Sequence, residues 1–105
     1  MLFLLTNSTL YIQYFMRYEY DPEKSQRNKV KHGIDFEEAQ ALWADEKHIV
    51  IDSAYKAEPR SLVIGLINGV CWVAVVTYRV EAVRIISCRR ARGKEEALYV
   101  QKHSH

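Results

Sequence analysis

The sequence predicts a single domain of the α+β class. A chain of 105 residues is long enough for one modest hydrophobic core. Hydrophobic residues make up 49% of the chain and charged residues 27%, which is an ordinary balance for a globular protein. After Asp45 the spacing of apolar residues changes from helical to strand-like, so the helices and strands are expected to be segregated along the chain.

The first fifteen residues, MLFLLTNSTLYIQYF, carry no charge and stop at Met16-Arg17. They lack the basic start and small-residue cleavage site of a secretory signal, and they are too short and too polar for a membrane span. Normal domain composition begins at Met16, so we expect residues 1–15 to be an apolar extension that is not native, and residues 16–105 to form the domain. An added strand or interface segment is the alternative.

Local signals define the first strand and helix. Arg17–Tyr20 has the composition of a short strand. Asp21 and Pro22 supply an N-cap and a first-turn proline for a helix that runs toward His32. Gly33 is expected to end this helix, because glycine readily adopts the left-handed conformation that follows a helix.

A capping box predicts a second, shorter helix. Asp35 stands at the cap position and Glu38 follows three residues later. At this spacing each side chain can accept a hydrogen bond from the other residue's backbone N–H. This helix is expected to end near Trp43.

Segments rich in Val, Ile, Trp and Tyr then predict four strands, over residues 47–53, 61–68, 71–80 and 83–89. Asn68-Gly69 is a strong hairpin signal between two of them. Short connections favour an antiparallel meander, and Gly93 leads into a final helix from Lys94 to about Lys102. The predicted architecture is a short strand, two helices, a four-stranded antiparallel sheet and a C-terminal helix.

Charge is unevenly distributed along the chain. Residues 84–105 carry six bases against two acids, and residues 16–33 carry five against three. The intervening residues 34–59 hold seven acids and two bases. If the fold brings the two basic segments together, a positive surface that attracts phosphates arises on a nearly neutral protein. The alternative is that these charges are solvated helix faces.

The sequence predicts neither a metal nor a cofactor. It has no glycine-rich phosphate loop, no CxxC pair and no HExxH motif. Cys71 and Cys88 lie in apolar runs and are expected to be reduced core residues. A nucleophilic role for Ser87 or Cys88 is disfavoured, because neither has an identifiable base nearby in the sequence.

Two cations stand at the end of the first helix. Lys31 offers a positive charge for a phosphate, and His32 offers a group that titrates near neutral pH. A purely structural role is equally available, because cations stabilise the negative end of a helix dipole.

Five arginines are candidates for phosphate contacts, because the guanidinium group binds phosphate through two parallel hydrogen bonds. They are Arg60, Arg84, Arg89, Arg90 and Arg92. Under strict strand alternation Arg84 and Arg90 share one face of the fourth strand, whereas Arg89 lies on the other.

Arg60 stands at the head of a strand. Strand alternation places its side chain on the same face as Leu62 and Ile64. A simple surface pair with Glu58 is the alternative, and such exposed pairs contribute little to stability.

Five stretches of the sequence stand out together: KHGIDFEEA at 31–39, Asp45, Glu58-x-Arg60, Ile64-Gly65 and RIISxRRA at 84–91. Together they resemble the BrnT family of toxins, which are the toxin halves of bacterial type II toxin–antitoxin pairs. The resemblance covers roughly residues 17–100. It departs from the family in Tyr20-Asp21, where Trp-Asp is frequent, and in Cys88, where alanine is frequent.

The resemblance implies a RelE-like fold and a ribonuclease activity that arrests translation in the cytoplasm. It also implies neutralisation by a BrnA-type antitoxin that binds operator DNA. The charged positions of the family motifs fall on Lys31, His32, Arg60, Arg84, Arg89 and Arg90.

The implied chemistry is a metal-independent attack of the RNA 2′-hydroxyl on the adjacent phosphate, in which a base, an acid and cations all take part. We expect Arg60 and Arg89 to stabilise the phosphorane, His32 to transfer a proton and Lys31 to bind phosphate. RNA-binding roles are expected for Arg84, Arg90, Arg92 and Tyr78. The competing hypothesis is a module that binds nucleic acid or an acidic protein without cleaving RNA, and a third alternative is a degenerate toxin that is folded but inactive.

Overall fold

The computed structural model describes residues 17–52 and 59–103. The proposed extension at residues 1–15 and the suggested Arg60 partner Glu58 lie outside the described residues. The described elements, in chain order, are β1 Arg17–Glu19, α1 Pro22–His32, a 3₁₀ helix Glu38–Ala44, β2 Ile49–Asp52, β3 Ser61–Ile67, β4 Val70–Arg79, β5 Ala82–Arg90 and α2 Gly93–His103. Each predicted element is present, with bounds that differ by one or two residues in the described part of the chain.

The sheet has the strand order β1-β5-β4-β3-β2. The four strands β2 to β5 form the predicted antiparallel meander. The prediction of a four-stranded sheet was wrong, because β1 adds a fifth strand that runs parallel to β5, with Tyr18 opposite Val83. This pairing satisfies the first part of one edge of β5, and it joins segments so distant in sequence that no local pattern reveals it.

The predicted helix signals of α1 are confirmed. The Asp21 carboxylate accepts hydrogen bonds from the backbone N–H groups of Glu23 at 2.9 Å and Lys24 at 3.5 Å. Gly33 follows the helix with φ 82° and donates its N–H to the Lys29 carbonyl at 2.9 Å. A left-handed residue here ends the helix and turns the chain back toward the sheet.

The capping box and the hairpin turn are also confirmed. Glu38 N–H donates to the Asp35 carboxylate at 2.7 Å, and Asp35 N–H donates to the Glu38 carboxylate at 2.9 Å. Asn68 and Gly69 both have positive φ, at 51° and 78°, as a two-residue turn of type I′ requires.

The two faces of the sheet carry separate hydrophobic cores. The first face is covered by residues 34–43, and its core includes Phe36, Leu42, Val63, Val76 and Cys88. The second face is covered in part by α2, and its buried core residues are Ile64, Cys71, Val73 and Tyr99. Cys71 and Cys88 are both buried free thiols, as predicted.

A β-bulge in β5 changes which side chains share a face. Val75 of β4 pairs with Ser87, whereas its neighbour Val76 pairs with Ile85. Ile86 is therefore an extra residue without a partner in β4, and strand alternation is interrupted there. The prediction that Arg84 shares a face with Arg90 was wrong for this reason.

Candidate nucleic-acid interface

The bulge in β5 brings Arg84 to the same face of the sheet as Arg89. Directly paired residues of antiparallel neighbours point to the same side. Arg84 pairs with Thr77 and Arg89 pairs with Val73, and alternation along β4 places both of these residues on the second face. Arg60 joins them when the alternation of β3 is continued by one residue. We call Arg60, Arg84 and Arg89 the arginine face.

Two of these arginines flank a threonine. Arg60 immediately precedes Ser61, which pairs with Val76, and extending the β3–β4 register by one residue places Arg60 opposite Thr77 on the middle strand. Arg84 lies on the opposite side of Thr77. Two strand spacings separate the Arg60 and Arg84 backbones by about 10 Å, a span that two long side chains can bridge to hold one phosphate.

The third arginine is held in an ion pair. The two terminal nitrogens of Arg89 donate to the two carboxylate oxygens of Glu95, each at 2.8 Å. The side chains are only 21% and 14% exposed. The Glu95 hydrogen bonds raise the pKa of Arg89, and those from Arg89 lower the pKa of Glu95. Arg89 lies about 13 Å along the sheet from the Arg60–Arg84 pair, at the end that α2 covers.

Arg90 and Arg92 lie outside the arginine face. Arg90 pairs with Trp72, on the first face, so the predicted separation of Arg89 from Arg90 is confirmed. The Arg90 guanidinium lies 5.6 Å from the centre of the Trp72 ring, in cation–π contact. Arg92 is exposed just before α2, where its backbone N–H donates to Glu95 at 2.7 Å.

Lys31 and His32 end α1, which runs beside β5. The Asn28 side chain contacts the backbone of Cys88, and β1, which precedes α1, pairs at the opposite end of β5. The last turn of α1 therefore lies toward the Arg90 end of β5. His32 is half-buried and Lys31 is exposed. The two basic segments are neighbours, but Lys31 and His32 do not share the arginine face.

Tyr78 lies on the first face, away from the arginine face. It pairs with Val83, and its hydroxyl oxygen accepts a hydrogen bond from the Trp43 indole at 3.2 Å. Its side chain is 40% exposed, and partial burial raises the pKa of its hydroxyl.

Sequence reasoning assigned no role to two carboxylates that position α2. Besides Glu95, the Asp45 carboxylate accepts hydrogen bonds from the Tyr99 hydroxyl at 2.7 Å and from the Leu66 N–H at 2.9 Å. The spacing of Arg92 and Glu95, like that of a capping box, was a usable signal for Glu95. The Asp45–Tyr99 contact joins residues 54 positions apart and had no local signal.

Comparison with protein-family models decides the family. The model described as "Ribonuclease toxin, BrnT, of type II toxin-antitoxin system" matches residues 20–95. The chain belongs to the BrnT family. No curated protein matches the chain. The BrnT match contains every predicted site residue, from Lys31 to Arg92, together with Asp45 and Glu95.

Membership of a type II toxin–antitoxin family implies an RNA target and a protein antitoxin as partner. In residues 17–52 and 59–103, no group of three or more His, Cys, Asp or Glu side chains is arranged to hold a metal ion. Within these residues, no helix is long and apolar enough to cross a membrane.

Proposed function

We propose that this BrnT-family chain is an endoribonuclease that cleaves RNA without a metal ion and thereby inhibits translation in the cytoplasm. The observation that carries the proposal is that Arg84 and Arg89 lie on one face of the sheet, on which the extended register of β3 also places Arg60. Three guanidinium groups on one face can bind the phosphates of a single RNA strand and stabilise the additional charge of a phosphorane.

In the proposed reaction the RNA 2′-oxygen loses its proton and attacks the adjacent phosphorus. The bond from phosphorus to the 5′-oxygen then breaks, and that oxygen receives a proton. The products are a 2′,3′-cyclic phosphate and a free 5′-hydroxyl. Arg89 stabilises the phosphorane at the C-terminal end of β5 once it contacts the RNA backbone, and Arg60 and Arg84 hold another phosphate of the same RNA strand on either side of Thr77.

His32 is the proposed proton-transfer residue and Lys31 a proposed phosphate ligand. Lys31 and His32 lie beyond the β5 edge rather than on the arginine face. The RNA must therefore cross the C-terminal end of β5 to contact these two residues as well as the arginine face. Arg90 and Arg92 lie at this end of β5 and are proposed to bind the RNA backbone there. Tyr78 lies on the first face of the sheet. Its proposed contact therefore requires an RNA strand that continues around the edge of the sheet.

The test is cleavage of a defined single-stranded RNA by the full chain in EDTA. An Arg60→Ala, Arg84→Ala double variant is expected to lose at least a hundredfold in rate, since each removes a charge-assisted phosphate contact. A matched control is Arg27→Ala, Arg79→Ala, which removes two exposed arginines that pair with Glu23 and Glu19. A substrate with 2′-deoxyribose at the cleavage site is expected to resist cleavage.

Equal cleavage by the two double variants would contradict the placement of the site. RNA binding without cleavage by the parent chain would instead favour the non-catalytic module. Loss of cleavage in EDTA that magnesium restores would contradict the metal-independent mechanism.

We further propose that a BrnA-type antitoxin neutralises the chain and that the complex binds operator DNA through the antitoxin. Growth arrest on expression of the chain alone, relieved when the antitoxin is co-expressed, is the expected result. Continued arrest in the presence of a BrnA-type antitoxin that binds the chain would contradict neutralisation.

A further inference from the structure

Three polar side chains spaced by four residues attach α2 to the body of the protein. Glu95 binds Arg89, the Tyr99 hydroxyl donates to Asp45, and His103 Nε2 lies 2.6 Å from the Lys47 carbonyl oxygen. Residues four apart lie on the same side of a helix, so these contacts form one stripe.

Little apolar burial accompanies these contacts. Of the eleven residues Gly93–His103, all of which the structure describes, only Tyr99 is buried. The apolar side chains of Leu98 and Val100 are 44% and 58% exposed. Apart from the burial of Tyr99, the attachment of α2 therefore depends on polar contacts, which another charged group can replace.

The contact between Glu95 and Arg89 has the geometry of a phosphate contact. Two carboxylate oxygens bind two guanidinium nitrogens, each at 2.8 Å, in the same parallel arrangement that a phosphate group adopts with arginine. While Glu95 is bound, this edge of Arg89 has no capacity for RNA. The carboxylate therefore occupies part of the arginine face.

We propose that α2 is an autoinhibitory latch, in which the Glu95 carboxylate occupies Arg89 until an RNA phosphate displaces it. This inference rests on the proposed function, because it takes RNA phosphate as the competing ligand of Arg89. RNA binding breaks the Glu95 contact of α2, which loosens the helix over Ile64 and Val73. Glu95 thus limits the affinity of the resting protein for RNA.

The first test compares Glu95→Gln with Glu96→Gln in the full chain. The two variants change the net charge equally, but Glu96 is exposed and its side chain has no part in the latch. The glutamine at position 95 retains an oxygen that can accept the Arg92 N–H. The probe is a single-stranded RNA with 2′-deoxyribose at the cleavage site, and its binding is followed by fluorescence anisotropy.

We expect Glu95→Gln to tighten RNA binding about tenfold, and Glu96→Gln to tighten it no more than about twofold, since one exposed charge acts only through screened attraction. Adding Arg89→Ala to Glu95→Gln is expected to remove the gain. Equal effects of the two glutamine variants would overturn the latch, provided that the parent chain cleaves RNA. No RNA binding or cleavage by the parent or either variant would overturn the proposed function and the latch together.

A second measurement uses the unaltered chain and does not depend on the folding of a variant. Hydrogen exchange of the α2 amides is measured with and without the same uncleavable RNA. Faster exchange in residues 95–103 when RNA is bound is the expected result, because displacement of Glu95 loosens the helix. Unchanged or slower exchange in α2 at saturating RNA would overturn the proposal.

Discussion

At the scale of single residues, Asn28 connects α1 to the edge of β5. Its amide nitrogen donates to the carbonyl oxygens of Ile34 at 2.8 Å and Cys88 at 2.7 Å, and its amide oxygen accepts the Cys88 N–H at 3.3 Å. The side chain is 7% exposed. β1 pairs with Ala82–Arg84 and does not reach Cys88. Asn28 therefore satisfies the hydrogen-bonding groups of the Cys88 backbone.

Replacing Asn28 with alanine is expected to destabilise the protein by about 3 kcal/mol, because buried backbone groups lose their hydrogen-bond partners. Urea unfolding of the variant measures the change. The control is Gln26→Ala, which alters an exposed position of the same helix and is expected to change the stability by less than about 0.5 kcal/mol. Equal stability of the two variants would contradict the role given to Asn28.

At the scale of elements, Gly65 lets the 3₁₀ helix approach β3 closely. A Cβ atom at position 65 would lie 3.2 Å from the Asp45 carboxylate, from the His48 Cβ and from the Leu42 side chain. The end of the helix and the turn that follows it therefore need a residue without a side chain on this strand.

We expect Gly65→Ala to destabilise the protein by about 1–3 kcal/mol, as overpacking does in other cores. Gly93→Ala is the control, because a Cβ there meets nothing within 4 Å and φ is not positive. That substitution is expected to be neutral or to stabilise by less than about 1 kcal/mol. Thermal unfolding distinguishes the two, and a neutral Gly65→Ala would show that the close approach is not required.

The attachment of α2 makes the stability of this element depend on pH. Burial acts to raise the pKa of Asp45, but hydrogen bonds from the Leu66 N–H and the Tyr99 hydroxyl outweigh it and lower the pKa. Glu95 also has a lowered pKa, because it accepts hydrogen bonds from Arg89. Each carboxylate is ionised more readily in the folded protein than in the unfolded chain, whose values lie near 4.

These contacts are expected to stabilise the fold fully above about pH 5 and to lose their effect as the pH falls through the lower, folded-state pKa values. The free energy of unfolding, measured in urea between pH 7 and pH 3, should decrease toward acid. Glu95→Gln should reduce the slope, since it removes one of the two groups. If the free energy of unfolding of the parent chain stays level or rises toward pH 3, the stabilising role given to Asp45 and Glu95 is contradicted.

At the scale of the whole molecule, positive charge is concentrated locally, although the protein carries little net charge. The formal net charge is only +2, yet Arg60, Arg84 and Arg89 lie on one face of the sheet. A local cluster of this kind attracts phosphates even though the net charge of the protein is small, and the attraction weakens with salt.

We expect the affinity for single-stranded RNA to fall about tenfold between 50 and 200 mM salt, because neutralisation of two or three phosphates gives a slope of about −1.4 to −2.1 in log K against log salt. Anisotropy titrations measure this slope. Arg84→Ala should reduce the slope by about 0.7, whereas Arg79→Ala should leave it unchanged. A parent affinity independent of salt would exclude phosphate contacts as the main source of binding.

The sequence determined most of the local structure, because the signals lie within a few residues of one another. Asp21 and Gly33 set the limits of α1, the Asp35–Glu38 box begins the second helix, and Asn68-Gly69 forms the hairpin. The BrnT motifs also determined the family, since their residues can be read directly from the chain.

Only the tertiary structure decided how the site is assembled. The parallel partner of β1, the bulge at Ile86 that moves Arg84 to the face of Arg89, and the Asp45–Tyr99 contact all depend on residues far apart in the chain or on an irregularity without a local pattern. One extra residue in a strand reverses the face of every side chain beyond it, so strict alternation placed Arg84 on the wrong face.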